Sequence, residues 1–165
     1  MWLALREHSR KELHDKLLRW AQAQDMVQAL AAQVSSGRAA DPSAAREKPD
    51  TGQIAELLDE LQAAGHLSDS RAVESRIHVR ASRFGNLRIE RELQHLGLGP
   101  STEARSALRA TELERARGVW ARKFGQPAAT AAERAKQMRF LAGRGFSADT
   151  IRAVLNSSQE DDSPD

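Results

Sequence analysis

Apolar residues recur every three or four positions along most of the chain, which is the spacing of amphipathic helices. In the first such segment Leu13, Leu17 and Trp20 share one face, and Ser9 with Glu12 forms a capping box ahead of them. The spacing continues over 20–34, diluted by glutamine and alanine. Further helices are predicted at about 53–64, 69–83, 86–96, 101–109, 111–124, 130–142 and 148–155. The pattern predicts an all-α protein of roughly eight to ten helices with little or no β-sheet.

The breaks between these segments have the chemistry of helix ends. Thr130 and Glu133 repeat the capping box. Four glycines fall at or beside predicted helix ends, where a positive φ is often needed: Gly65, Gly85, Gly97 and Gly145. Residues 35–52 contain no large apolar side chain, so we predict a loop that can be deleted without loss of folding. The acidic, polar tail from Asn156 onward is predicted to be disordered.

Three of the predicted helices resemble one another in their apolar positions, which indicates an internal repeat. Leu13, Leu17 and Trp20 correspond to Ile89, Leu93 and Leu96. The third copy is Gln137, Leu141 and Arg144, in which only the middle position is apolar. The last two copies also share a glycine followed by an apolar residue, a sequence that turns the chain and packs the next helix against the previous one. The predicted unit is therefore a repeated module of three helices.

The composition agrees with this fold class and limits the compartment. Aromatic residues make up only 4% of the chain and cysteine is absent, so neither disulfides nor thiolate metal ligands are available. No run of apolar residues is long enough to cross a membrane, and no segment has the order of a signal peptide. These features favour a cytoplasmic protein.

The net charge of +2 hides an uneven distribution. Between Arg71 and Arg144 there are 16 basic residues and 7 acidic ones, whereas the remainder has 9 basic and 16 acidic. A basic region flanked by acidic ends suggests that the protein binds a polyanion or an acidic protein surface.

Two groups of basic residues are candidates for that contact, and ordinary solvated helix faces remain the alternative. The first has Arg76, Arg80 and Arg83 at the spacing of one helical face, followed by Arg88 and Arg91 with no acid between Arg76 and Arg88. The second comprises Arg115, Arg117, Arg122, Lys123, Arg134, Lys136, Arg139 and Arg144.

Other chemistry is sparse. The tryptophans and phenylalanines sit mostly at apolar helix positions and are predicted to be core residues, with Phe140 beside Arg139 the best candidate for stacking on a base. The five histidines have no metal-ligand spacing, and no phosphate-binding loop, catalytic triad or carboxylate pair is visible. We therefore expect a protein that is not an enzyme and needs no cofactor or metal.

Several stretches resemble the RecX family in the order expected for it. They are 133–147 (ERAKQMRFLAGRGFS) with 151–155 (IRAVL), 122–125 (RKFG), 6–13 (REHSRKEL), 65–71 (GHLSDSR) and 88–93 (RIEREL). The resemblance covers nearly the whole chain except about 21–52 and the tail. Ala72 stands where that family usually has an aromatic residue, and Ser68 where it has a second acid.

The resemblance implies an elongated, curved array of three tandem three-helix repeats. These would span 1–67, with an inserted helix and loop at about 21–52, then 68–110 and 111–156, followed by a disordered tail at 157–165.

The resemblance also implies a monomer that binds the RecA filament on single-stranded DNA, inhibits its ATP hydrolysis and strand exchange, and does not act at a membrane. Direct contact with DNA is left open, and a general single-stranded-DNA-binding protein without filament specificity is the alternative. The residues expected to contact RecA or DNA are Arg76, Arg80, Arg83, Arg88, Arg91, Arg122, Lys123, Arg134, Lys136, Arg139 and Arg144.

Overall fold

The computed structural model describes residues 6–36 and 51–160, and these residues form helices without a β-strand. The predicted all-α class is confirmed. The described helices are α1 (Arg10–Ser36), α2 (Thr51–Ala63), α3 (Asp69–Ala81), α4 (Asn86–His95), α5 (Thr102–Lys123), α6 (Ala131–Gly143) and α7 (Ala148–Glu160). The chain divides into two compact units, Met1–Asp69 and Ser70–Asp165.

In the first unit, α1 begins at a serine cap and packs against α2. The Ser9 hydroxyl accepts a hydrogen bond from the Glu12 backbone N–H at 3.0 Å, so the serine half of the predicted capping box is present. Leu13, Leu58 and Leu67 form the buried core of this unit. The apolar spacing read from the sequence therefore identifies the contact between α1 and α2.

The helix α1 is longer than the packing requires. It continues without a break to Ser36, so the segment predicted as a second helix belongs to it. Trp20, Met26 and Val27 are 54–64% exposed, and the prediction of Trp20 as a core residue is wrong because α2 covers only the first half of the helix. The predicted loop at 35–52 is shortened at both ends by α1 and α2, and 37–50 lie outside the described residues.

In the second unit, α5 is one continuous helix where the sequence suggested two. The residues around the predicted break, Leu108 to Glu112, all tolerate helix, and the Thr111 hydroxyl donates to the Ala107 carbonyl at 3.0 Å. Together with the merger in α1, this explains why the described residues hold seven helices rather than eight to ten.

Because α5 is continuous, it contributes to two cores. Leu108 lies in a cluster with Ile89 and Leu93 of α4, whereas Val119 lies in a cluster with Leu141 of α6 and with α7. We call α3, α4 and the first half of α5 the second module. The second half of α5 with α6 and α7 is the third module.

The helices α4 and α6 end in the same way, as the internal repeat predicts. Leu98 N–H donates to the Leu93 carbonyl at 2.9 Å, and Phe146 N–H donates to the Leu141 carbonyl at 3.3 Å. Gly97 and Gly145 have φ of 70° and 81°, which L residues with side chains rarely adopt. Each end is therefore a Schellman turn that places an apolar residue back on its own helix.

The helix α7 extends to Glu160, beyond the predicted end at residue 155. The Arg134 guanidinium donates to the Leu155 carbonyl at 3.2 Å and to the Asn156 side-chain oxygen at 2.6 Å. The Ser157 hydroxyl donates to the Val154 carbonyl at 3.1 Å. These bonds support a helix in polar sequence that periodicity alone does not favour, and 161–165 lie outside the described residues.

Candidate functional site

The first group of predicted basic residues does not share a single helix face. The helix α3 ends at Ala81, two residues earlier than predicted, so Arg83 lies in the turn before α4. Its backbone N–H donates to the Arg80 carbonyl at 3.0 Å. The reason is Gly85, which caps α4 in an extended conformation and requires the chain to leave α3 before it. Arg76 and Arg80 remain on α3.

Arg80 and Arg88 share one carboxylate and one aromatic ring. The Nε atoms of Arg80 and Arg88 lie 2.7 and 3.3 Å from the two oxygens of Glu92. Their guanidinium carbons lie 5.3 and 4.1 Å from the centroid of the Phe84 ring. Since each arginine is partly neutralised and held in place, the pair contributes less free positive charge than the sequence suggests.

A second set of cations surrounds an open cleft between the second and third modules. The cleft has a volume of about 230 Å³, and Phe140 and Val119 provide its apolar part. Within the part of the chain that the structure describes, no carboxylate forms an ion pair with the basic residues that line this cleft. These basic residues are Arg83, Arg122, Lys123 and Arg144.

Two of these arginines are oriented by backbone carbonyls of the turn after α3. A terminal nitrogen of Arg122 donates to the Ser82 carbonyl at 2.9 Å, and one of Arg144 donates to the Arg83 carbonyl at 3.2 Å. The Arg144 guanidinium also lies 4.6 Å from the centroid of the Phe140 ring and 5.9 Å from that of Phe84. A guanidinium has five N–H donors, so each arginine keeps most of its donors for a ligand.

The basic residues of α6 divide between structural and exposed positions. Arg134 binds the end of α7, as described above, and Arg144 lines the cleft. Lys136 and Arg139 are exposed, lie three residues apart on one helix face, and contact no carboxylate in the described ranges 6–36 and 51–160. On α4, Arg91 is exposed in the same way.

Arg115 was predicted as a candidate surface cation, but its side chain is the most extensively hydrogen-bonded of the described basic residues. Its guanidinium donates to the carbonyls of Phe84 at 2.8 Å and Leu108 at 2.9 Å, and to the Asn86 side-chain oxygen at 2.6 Å. Burial lowers the pKa of Arg115, and the charge of Glu112 opposes that shift. The guanidinium also donates to the Ala81 carbonyl at 3.1 Å, so Arg115 joins α3, α4 and α5.

Glu112 lies three residues before Arg115 on the same side of α5. It is 6% exposed, and its carboxylate accepts hydrogen bonds from Asn86 N–H at 2.9 Å and from the hydroxyls of Ser147 and Thr150 at 2.9 and 3.0 Å. It thus links the start of α4 to the start of α7. An acid and a base three residues apart on a helix also occur on solvated faces, so the sequence held no signal for this burial.

The remaining aromatic residues have mainly structural contacts. The rings of Phe124 and Phe140 meet edge to face with centroids 5.2 Å apart. The Trp120 indole N–H donates to the Gln137 side-chain oxygen at 2.8 Å, which satisfies a buried glutamine. Phe140 contacts Arg144 and not its sequence neighbour Arg139.

Two other kinds of site are absent from the described residues. They contain no group of three histidine, aspartate or glutamate side chains placed to hold a metal ion. None of their helices is both long and apolar enough to cross a membrane.

Comparison with known proteins relates the whole chain to one family. A family model described as the third three-helix domain of RecX matches residues 110–155. The regulatory protein RecX of Leptothrix cholodnii is 46% identical over 93% of this chain and 82% of its own length, and that of Herminiimonas arsenicoxydans is 41% identical over 98% and 90%. The crystal structure of RecX from Lactobacillus salivarius matches the fold with a TM-score of 0.63 at 17% identity, covering 96% of this chain and 90% of that one.

Proposed function

This chain belongs to the RecX family, and we propose that it binds the RecA filament on single-stranded DNA and inhibits its ATP hydrolysis and strand exchange. The relatives are named regulatory proteins, so the proposed activity is regulation through binding and not catalysis. Its site of action would be the cytoplasm, where it would modulate recombination and DNA repair.

The observation that carries this proposal is the concentration of uncompensated positive charge on the second unit. Arg83, Arg122, Lys123 and Arg144 converge on one cleft, and Lys136 and Arg139 are exposed on α6. A nucleoprotein filament combines acidic protein side chains with DNA phosphates, and both are ligands for arginine and lysine. Cations presented from two successive modules would allow several simultaneous contacts, which raises affinity beyond that of any single contact.

The direct test measures ATP hydrolysis by RecA on single-stranded DNA while this protein is added in increasing amounts. We expect hydrolysis to fall, and the inhibition to weaken as salt is raised, because surface charge contacts are screened. Unchanged hydrolysis at saturating protein would contradict the proposal.

A separate binding measurement on bare and RecA-coated single strands tests the general single-stranded-DNA-binding alternative. We expect tighter binding to the RecA-coated strand than to the bare strand at equal salt. If affinity for the two is the same and both fall steeply with salt, the general binder is the correct description.

A further inference from the structure

We propose that the cleft lined by Arg83, Arg122, Lys123, Phe140 and Arg144 is a binding site for the phosphates of single-stranded DNA. This inference rests on the proposed function, because the filament contains such a strand. It adds a direct DNA contact and assigns it to particular residues. The cleft belongs to the second unit alone, so the inference does not depend on how the two units are arranged.

The positive charge of the cleft favours an anionic ligand. Four cations line a space of about 230 Å³, and among the described residues none of them has a carboxylate partner. Nearby, by contrast, Arg80 and Arg88 share the carboxylate of Glu92. Like charges held together repel one another, and a bound anion would relieve that repulsion.

The geometry is prepared for a phosphate oxygen. The carbonyls of Ser82 and Arg83 each hold one guanidinium, those of Arg122 and Arg144, which limits the side-chain freedom lost on binding. Planar guanidinium groups match phosphate with two parallel hydrogen bonds. Among the described residues, no hydrogen bond or ion pair holds the side chain of Arg83 or Lys123, and both side chains are exposed, so they can move to meet a ligand.

Two features favour a nucleic-acid strand over an acidic protein segment. The Arg144 guanidinium, whose carbon lies 4.6 Å from the centroid of the Phe140 ring, presents a planar surface beside the other charges, and bases stack on guanidinium planes. An acidic peptide has no nucleobase that could stack there. The volume of the cleft also suits a nucleotide, whereas an α-helix or a DNA duplex is too wide to enter it.

The site also spans the second and third modules. Arg83 belongs to the turn after α3, whereas Phe140 and Arg144 belong to the end of α6. A phosphate bound by both would connect the two modules. We therefore expect binding of the strand to raise the midpoint of thermal unfolding, as any ligand specific for the folded state does.

The test measures how tightly the full chain, without RecA, binds a fluorescein-labelled oligothymidylate. Fluorescence anisotropy reports the binding at several salt concentrations. The cleft variant is Arg83→Gln/Lys123→Gln, which removes two charges without touching the carbonyl bonds of Arg122 and Arg144. The matched control is Arg105→Gln/Arg109→Gln, two exposed arginines at the other end of α5, of which Arg105 lies 3.8 Å from Glu90. Circular dichroism checks that helix content is retained, and the single variant Arg83→Gln serves if the double variant does not fold.

We expect the cleft variant to lose roughly tenfold in affinity and the control to stay near the parent. The slope of log affinity against log salt should become shallower by about 1.4, because each contact to a single-strand phosphate contributes about 0.7. Equal losses in both double variants would overturn the proposal, since the charge would then act diffusely.

Tighter binding of a polyglutamate peptide than of the oligonucleotide, lost in the cleft variant, would also overturn it in favour of an acidic protein partner. Because this experiment contains no RecA, a negative result would reject the DNA site alone. The proposed inhibition of ATP hydrolysis is tested separately by the measurement with RecA.

Discussion

Gly85 and Gly145 bring the backbones of the second and third modules into direct contact. Gly85 N–H donates to the Arg144 carbonyl at 3.0 Å, and Leu87 N–H donates to the Gly145 carbonyl at 3.1 Å. A Cβ atom at position 85 would lie 2.2 Å from the Gly145 oxygen, and one at position 145 would lie 2.5 Å from the Arg88 Cβ. The start of α4 thus lies on the turn that ends α6, with no room for a side chain between them.

The first prediction concerns this contact. Gly85→Ala should lower the free energy of unfolding by about 1–3 kcal/mol, because the methyl group must displace backbone atoms. Gly143→Ala is the control, since its Cβ would meet nothing within 4 Å and alanine favours the helix by up to about 1 kcal/mol. Urea unfolding of both variants measures the difference, and a Gly85→Ala protein as stable as the parent would contradict the close contact.

The second prediction concerns Arg115. Replacing it with methionine should cost about 1.5–3 kcal/mol, because the carbonyls of Phe84 and Leu108 and the Asn86 side chain lose a partly buried charged donor. Arg115→Lys should recover only part of this, because an ammonium group cannot reach all the acceptors of the planar guanidinium. Arg117→Met, at an exposed position, should change stability by less than about 0.5 kcal/mol. Chemical denaturation distinguishes these cases, and equal effects at 115 and 117 would show that the buried bonds contribute little.

The third prediction concerns the exposed charges of α6. Reversing Lys136 and Arg139 to glutamate should weaken inhibition of RecA ATP hydrolysis strongly and make it less sensitive to salt, because both side chains face solvent together. Helix content should not change, since exposed charge swaps alter stability by only about 0.5 kcal/mol. The matched control reverses Arg105 and Arg109. Equal inhibition by the variant and the parent at the same concentration and salt would refute this contact.

The fourth prediction concerns the second half of α1. Replacing residues 23–50 with a flexible glycine–serine linker should change the free energy of unfolding by less than about 1 kcal/mol, which is roughly 2–4 °C in Tm. The reason is that the contact with α2 comes from Leu13 and Leu17, whereas Met26 and Val27 are exposed. Leu58→Ala, in the buried core, should by contrast cost about 2–5 kcal/mol. A large loss of stability in the shortened chain would show that the removed residues are part of the core.

The fifth prediction concerns acid stability. Burial of Glu12 raises its pKa, but Arg6 and His8 lie against the carboxylate and outweigh burial, so the pKa of Glu12 falls below its ordinary value. A lowered folded-state pKa stabilises the fold above the unfolded pKa, and this contribution disappears as pH falls through the folded value. Glu12→Gln should therefore reduce stability at neutral pH and flatten its decline in acid. Glu56→Gln, exposed on α2, is the control, and identical pH profiles for the Glu12 variant and the parent would contradict the prediction.

Local sequence was sufficient for most helix positions, for the caps at Ser9 and Thr130 and for two of the turns. The Thr130 and Glu133 capping box and the turns at Gly97 and Gly145 form as predicted. Each depends on side chains and backbone conformations within a few residues of one another, so the pattern along the chain contains the necessary information. The breaks predicted within α1 and α5 were wrong because weak apolar spacing does not by itself end a helix.

Only the tertiary structure decided which charges are structural and which are available. Arg115, Arg134 and Lys136 look alike in the sequence, yet the first two donate to carbonyls of other helices and the third faces solvent. Gly85 has φ of −79°, so it is needed for close approach and not for the positive φ that its place beside a helix end suggested. The bond from Arg144 to the Arg83 carbonyl joins residues 61 positions apart. Such a contact depends on how the modules pack against each other, and no periodicity along a single helix contains it.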